Sequence, residues 1–273
     1  MNGFLLALRS SFGFLSTIPV GITMEGLDEF FKRTYLHQIV GIVLGLMMGA
    51  VAYLLVSYIP VSIAAVLIIA FVYYITGLNH LDGMADLGDG MTAHGSVEKK
   101  LKALKDMSLG IGGVAYASLI IIAFYATLVA LHEQSLIVYS SDDNVARVFF
   151  LAMFVSELSA MQSMLTIAAF GKSIHQGLGS ILVENTTVPK YLMGFAIGIV
   201  ACVAMSFYLG FGIIGIIPFI AAILATFVLL NTSNRHFGGV NGDVIGASNE
   251  VGRIIALITV TMVLMYGGIA WTL

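Results

Sequence analysis

Charge is scarce in this chain: Asp, Glu, Lys and Arg make up only 10% of its 273 residues. An ordinary soluble domain carries about 25%, so a solvated surface of the usual kind is excluded. Cysteine is scarcer still. Cys202 stands alone in an apolar run, which rules out an intramolecular disulfide and any zinc-type cysteine cluster. The formal net charge of -3 comes with no concentrated basic face, and this argues against a nucleic-acid partner. Near the start there is one base, Arg9, but no small-residue cleavage site behind an apolar core. No cleaved signal peptide is expected.

What fills the chain instead is hydrocarbon. Hydrophobic residues reach 59% and the mean hydropathy is +1.00. Several runs approach or exceed the ~18 apolar residues that cross a bilayer as helix. The expected fold is all-α: a polytopic transmembrane helical bundle of roughly seven spans, forming one domain over residues 1–273. Residues 3–20 are too short for a span and predict an interfacial or re-entrant helix. The spans are expected at about Leu36–Ile59, Val61–Leu78, Ile111–Leu131, Val145–Phe170, Tyr191–Leu209, Ile213–Leu230 and Ile254–Trp271. Glu157 lies deep in the fourth and should face the bundle interior, paired or protonated.

The bases sort by side. With the 79–109 segment cytoplasmic, every Lys and Arg except Arg147 falls on that side or at its interface, Arg253 included. The positive-inside rule then predicts a cytoplasmic N-terminus and an outer C-terminus. The glycine-containing polar loops fall on the same face. That is the layout of one active site assembled from several loops rather than of a through-pathway.

The most telling stretch is 79–90, Asn-His-Leu-Asp-Gly-Met-Ala-Asp-Leu-Gly-Asp-Gly. Asp82, Asp86 and Asp89 are spaced four and three apart, which places them on one helical face with Asn79. Stacked carboxylates repel, so a cation is expected between them. Oxygen-only ligands favour a hard divalent ion, Mg2+ or Mn2+. A lone aspartate at a span end is most often merely solvated, but three in register straight after an apolar run point to function. The basic run Lys99–Lys105 taken alone reads as a topology signal and a lipid-headgroup contact. A second polar cluster runs from Asn231 to Arg253 and contains Arg235, His236, Asn241, Asp243 and Glu250. Asp243 and Glu250 are seven apart, again one face if helical. Acids, bases and glycines together suit phosphoryl transfer, with a cation on phosphate oxygens and bases neutralising charge.

At these clusters the sequence resembles the cobalamin synthase family, the adenosylcobinamide-GDP ribazoletransferases. Residues 80–90 resemble its H-x-D-G-L-A-D-x-x-D-G signature, residues 105–110 its K-D-S-x-x-G segment, and residues 238–247 its G-G-x-T-G-D-x-L-G-A motif. Phe14–Pro19 and Gly177–Gly179 also fit. The likeness runs in order along nearly the whole chain. Met107 stands where the family more often has Ser, and Asn241 replaces the usual Thr. The resemblance implies transfer of the adenosylcobinamide-phosphate group from adenosylcobinamide-GDP to α-ribazole or its 5′-phosphate, with release of GMP and a requirement for Mg2+. On that footing Asp82, Asp86 and Asp89 are expected to hold the metal, with Asp243 a further ligand or an orienter of ribazole. His80 is the expected general base, with Asp106 the alternative, and Asp82 is counted with the catalytic groups. Asn79, Lys105, Arg235, His236, Asn241 and Glu250 are the expected substrate contacts, Lys105 and Arg235 by neutralising phosphate. The expected place is the cytoplasmic membrane of a prokaryote, in contact with lipid. Association with a second copy or with other enzymes of the pathway stays open.

Two other classes compete. A CDP-alcohol-type phosphotransferase of lipid synthesis should carry D-G-x-x-A-R, but here Ala85 is followed by Asp86. A divalent-cation transporter should show several mid-bilayer polar groups and often repeat symmetry. Only the fourth expected span has a deep acid, and no halves are evident.

Overall fold

A computed structural model describes residues 3–106 and 108–267. Met107 and the end of the last expected span at Trp271 lie outside them. Among the described residues the helices are α1 (Gly3–Leu15), α2 (Met24–Phe31), α3 (Leu36–Tyr58), α4 (Val61–Thr76), α5 (Asn79–Thr92), α6 (Val97–Leu104), α7 (Ile111–Val138), α8 (Asp142–Phe170), α9 (Leu178–Asn185), α10 (Val188–Tyr208), α11 (Ile216–Phe237) and α12 (Gly242–Gly267). The β structure among these residues is a single parallel bridge between Ser173 and Val240.

The protein is a multi-pass helical bundle. Six helices, α3, α7, α8, α10, α11 and α12, are long and apolar enough to cross a membrane. The α4–α5 pair passes the same test together but is bent by 97°. The bend falls at Gly77, whose φ of +75° is open to glycine and costly for other residues. Beyond it α5 leaves the line of α4 and runs across the first turns of α7 and α12. There it forms a floor, with Gly83 against Asp243 and Gly88 against Gly112.

α8 is the axis. Its most apolar stretch is 94% buried, against 22% for α7 and 28% for α10. It is also rich in small hydroxyls, and these are satisfied inside the helix. Ser159, Ser163 and Thr166 donate to the carbonyls of Val155, Ser159 and Gln162 at 2.7, 2.9 and 2.8 Å, so they bring no unpaired donors into the core. Glu157 is fully buried and paired, as its position demanded. Arg253 Nη2 donates to its Oε2 at 2.8 Å, while Arg253 Nη1 donates to Glu250 Oε1 at 3.0 Å. Tyr73 donates to the other oxygen of Glu250 at 3.1 Å.

This ion cluster corrects two sequence expectations. The expected spans stop at about Leu230 and resume at about Ile254, but α11 continues to Phe237, α12 begins at Gly242, and only the residues between them connect. Arg253 is not an interfacial base, because it is fully buried and sits about 16 Å into α12 at 1.5 Å per residue. Hydropathy counts Glu250 and Arg253 as costs. Their mutual pairing lets the helix run on through the core.

The N-terminal segment matches its expectation of a short non-spanning helix. α1 and α2 form a hairpin beside the end of α4, where Thr17 N and Oγ1 donate to the carbonyls of Ile75 and Tyr74, each at 2.8 Å. Phe14, Phe30 and Phe31 pack ring on ring at 5.4–5.8 Å.

Candidate functional site

The face floored by α5 holds a polar cavity of about 690 Å³. α5 contributes Asp82 and Asp86, one turn apart. The end of α6 and the segment after it contribute Lys105 and Asp106. The 171–177 loop contributes His175 and Gln176, and α9 contributes Ser180. Asn241, Gly242 and Asp243 close the ring at the start of α12.

Local chemistry explains each placement. Asn241 caps α12: its Oδ1 accepts from Val244 N at 3.1 Å, meeting one of the helix's unpaired N–H groups. Its Nδ2 donates to Asp243 Oδ2 at 2.7 Å and so fixes that carboxylate. α5 can reach α12 because residue 83 is glycine. A Cβ there would stand 2.7 Å from the Asp243 carbonyl oxygen and 3.1 Å from its Cα. The 171–177 loop is pinned beside the α11–α12 connection by Val240 N donating to Lys172 O at 2.8 Å and Ile174 N to Val240 O at 3.0 Å.

The cavity holds more negative charge than it neutralises. Burial, and then the carboxylates of Asp243, Asp82 and Asp89, push the Asp86 acid up to about 7. Such a cluster favours whatever brings positive charge. Its side-chain donors are oxygen, as a hard divalent cation requires. Among the described residues no three acidic, imidazole or thiol side chains converge closely enough to enclose an ion by themselves.

Six sequence candidates thus share one cavity: Asp82, Asp86, Lys105, Asp106, Asn241 and Asp243. Asp106 is a poor proton acceptor there. Hydrogen bonds from Ser108, its backbone N–H first at 3.0 Å, hold the Asp106 acid below the usual carboxylate range.

Others lie elsewhere. Asp89 does not line the cavity. It accepts from Gly110 N and Gly113 N, each at 2.8 Å, and so caps α7, whose own N-cap is a glycine without a side chain. His80 also stands outside, with only 8% of its surface exposed. Burial, followed by the charges of Arg253 and His37, pushes it down to about 3. A neutral imidazole of that basicity, off the cavity, does not serve as its general base. Asn79 and His80 instead border a smaller neighbouring pocket. Arg235 is exposed on the last turn of α11, away from the cavity lining. His236 Nδ1 is taken by Lys100 Nζ at 3.0 Å, tying α6 to α11. Glu250 is two turns below Asp243 and belongs to the buried ion cluster.

The sequence reading gave His175, Gln176 and Ser180 no role. The signal for His175 was weak but present: it is an imidazole in a glycine-flanked loop on the base-rich face.

A family model described as cobalamin-5-phosphate synthase matches residues 7–261. Similar proteins, all called adenosylcobinamide-GDP ribazoletransferase, occur in several archaea. The chain is 56% identical to one from Methanococcoides burtonii, with 100% of this chain and 99% of the relative aligned. It is 50% identical to one from Methanosarcina mazei, with 100% of both aligned. It is 31% identical to one from Halorubrum lacusprofundi, with 98% of both aligned. No solved structure matches.

Proposed function

The chain belongs to the cobalamin-5-phosphate synthase family, and from that premise we propose the reaction its polar cavity performs. The cavity transfers the adenosylcobinamide-phosphate group of adenosylcobinamide-GDP to a hydroxyl of α-ribazole or α-ribazole 5′-phosphate. The new bond is between that hydroxyl oxygen and the cobinamide-linked phosphorus. The bond broken is the one to the bridging pyrophosphate oxygen, which leaves as part of GMP. The products are adenosylcobalamin, or its 5′-phosphate, and GMP.

One observation carries this reading: Asp82, Asp86, Asp243 and Lys105 line the same cavity. Mg2+ would be held by one or two of Asp82, Asp86 and Asp243 together with substrate phosphates and water, and would supply positive charge to the pyrophosphate and the departing GMP. Lys105 adds a cation to the phosphate charge. Asn241 keeps the Asp243 carboxylate from rotating. His175 takes the proton of the attacking hydroxyl, since imidazole is the side chain best suited to proton transfer near neutral pH. Asp106, kept ionised, orients the neighbouring groups. The cavity face carries nearly all the bases, so we place it on the cytoplasmic side of a prokaryotic cell membrane.

The test uses purified full-length protein in liposomes, given adenosylcobinamide-GDP and α-ribazole with and without Mg2+. Metal-dependent GMP release with a matching yield of cobalamin product is expected. No product with either ribazole form, in lipid-replenished vesicles, would overturn the proposal.

A further inference from the structure

At the end of the bundle away from the aspartate cavity, a groove of about 590 Å³ opens between α3, α8 and α10. α8 is its floor, with Arg147 and Phe150. α3 is one wall, with Ala50, Tyr53 and Leu54, and α10 ends at the other with Tyr208. Nearer the cavity the same helices are drawn together by glycine: a Cβ on Gly198 of α10 would stand 2.9 Å from Gln38 Oε1 of α3. The groove opens past that contact. Within it, Arg147 Nη2 lies 2.6 Å from Asp143 Oδ2, and Tyr53 donates its hydroxyl to Asp143 Oδ1 at 2.6 Å. Both ions stay about half exposed, at 45% and 46%. An exposed pair one turn apart contributes little to stability by itself.

The level of this pair in the membrane follows from helix length. α8 has 29 residues, about 43 Å at 1.5 Å per residue, the thickness of a bilayer with its headgroup regions. Arg147 is about 7 Å from the start of α8 and about 35 Å from its end at Phe170. That puts it where the hydrocarbon core meets the headgroups, in the leaflet opposite the aspartate cavity. Exposed tyrosines mark the same level: Tyr58 ends α3, Tyr208 ends α10 and Tyr266 stands near the end of α12, as interfacial aromatic residues do. Arg147 is the one base the chain places on this side, and Glu133 and Asp142 are further acids there.

We propose that this groove binds the headgroup of an aminophospholipid from the leaflet opposite the active site. Its phosphate lies on Arg147, whose planar guanidinium suits phosphate oxygens. Its ammonium lies on Asp143, and its first chain carbons lie along Ala50, Leu54 and Phe150. The match is one of charge: a cation and an anion side by side meet a headgroup that carries both. An anionic headgroup without an ammonium would meet Asp143, with other acids near and no second base. A quaternary ammonium cannot donate a hydrogen bond to the carboxylate. The site is independent of the reaction at the cavity and acts on the packing of α3, α8 and α10.

The test uses the full chain, delipidated in detergent and given phosphatidylethanolamine, phosphatidylcholine or phosphatidylglycerol. Lipid retention is read by native mass spectrometry and stability by thermal denaturation. Phosphatidylethanolamine should be retained best and should raise the midpoint by a few degrees, since a ligand of the folded state stabilises it. Arg147→Gln should lose that retention. Asp143→Asn leaves the guanidinium unopposed and should turn the preference toward phosphatidylglycerol. Ala50→Trp, at an exposed position, fills the groove with both charges intact and should also lose the lipid. Turnover in one fixed lipid mixture should be the same in all these variants. Equal retention of the different lipids by wild-type protein, an unchanged preference in either charge variant, or wild-type retention by Ala50→Trp would overturn the proposal.

Discussion

Asp243 and Glu250 stand on the same helix, two turns apart, about 10 Å by helical rise. Asp243 opens into a cavity with Asp82, Asp86 and Asp106, where one lysine faces four carboxylates. Glu250 is held in the core with Glu157 around Arg253, and Tyr73 donates to its second oxygen. The core cluster gives each of its two carboxylates a direct partner in the one guanidinium between them. The cavity leaves its charge unanswered, and Asp86 shows the strain in an acid pushed up to about 7. Where a protein keeps charge uncompensated beside solvent, the missing partner is brought by a ligand. Where it compensates charge inside an apolar bundle, the cluster serves the fold.

The comparison breaks first at Arg253 if it is wrong. Arg253→Met leaves two glutamates buried without their cation, a change that costs about 3–5 kcal/mol in buried pairs. Thermal denaturation in detergent should show a large loss of stability, with little change in activity per folded molecule. Adding Glu157→Gln and Glu250→Gln should recover part of the loss, because an uncharged trio strands no charge. If Arg253→Met stays as stable as wild type but inactive, the core cluster belongs to the chemistry after all.

The cavity carboxylates should behave in the opposite way. Asp82→Asn and Asp86→Asn should each lower kcat by about a thousandfold, while the denaturation midpoint stays within a few degrees or rises. Removing a charge from a repulsive cluster relieves strain, so a stability gain in Asp86→Asn would sharpen the contrast. A stability collapse would merge the two regions. Next in size is His175→Gln, expected to cut kcat by about a hundredfold.

Much of this was legible in sequence, and the gaps have physical causes. Long apolar runs announced the spans because a bilayer tolerates little else. The end of α11 and the start of α12 were missed because hydropathy scores each residue alone, whereas Glu250 and Arg253 enter the core as a pair. The spacing of Asp82 and Asp86 gave their shared face directly. Their meeting with Asp243 was legible only through glycines, such as Gly83, whose meaning depends on what lies opposite. His80 sits inside the motif but not on the helical face that Asp82 and Asp86 share. His80 stands two residues before Asp82, about 200° around the helix at ~3.6 residues per turn, so its ring faces away from the aspartates and is buried. His175 was passed over because its loop reaches the cavity through the Ser173–Val240 bridge, a long-range pairing that no local pattern signals.

Asp89 is the finest test of the comparison, because sequence and geometry assign it to different regions. By spacing it is the third member of the aspartate stripe. By its bonds it caps α7, taking the N–H groups of Gly110 and Gly113 at 2.8 Å. Losing such a cap costs about 0.5–2 kcal/mol, so Asp89→Ala should be modestly less stable in detergent. Its Mg2+ requirement should stay near the wild-type value, and so should its kcat measured on folded protein, since the carboxylate does not line the cavity. Asp89→Asn should be milder still, because the amide oxygen can accept one of the two bonds while the favourable charge at the helix N-terminus is lost. A metal titration decides between the assignments. If Asp89→Ala raises the Mg2+ needed for half-maximal rate as much as Asp86→Asn does, the stripe acts as one ligand set and the boundary between cavity and scaffold lies a turn further along α5. If only Asp82, Asp86 and Asp243 respond, the boundary falls where the hydrogen bonds place it.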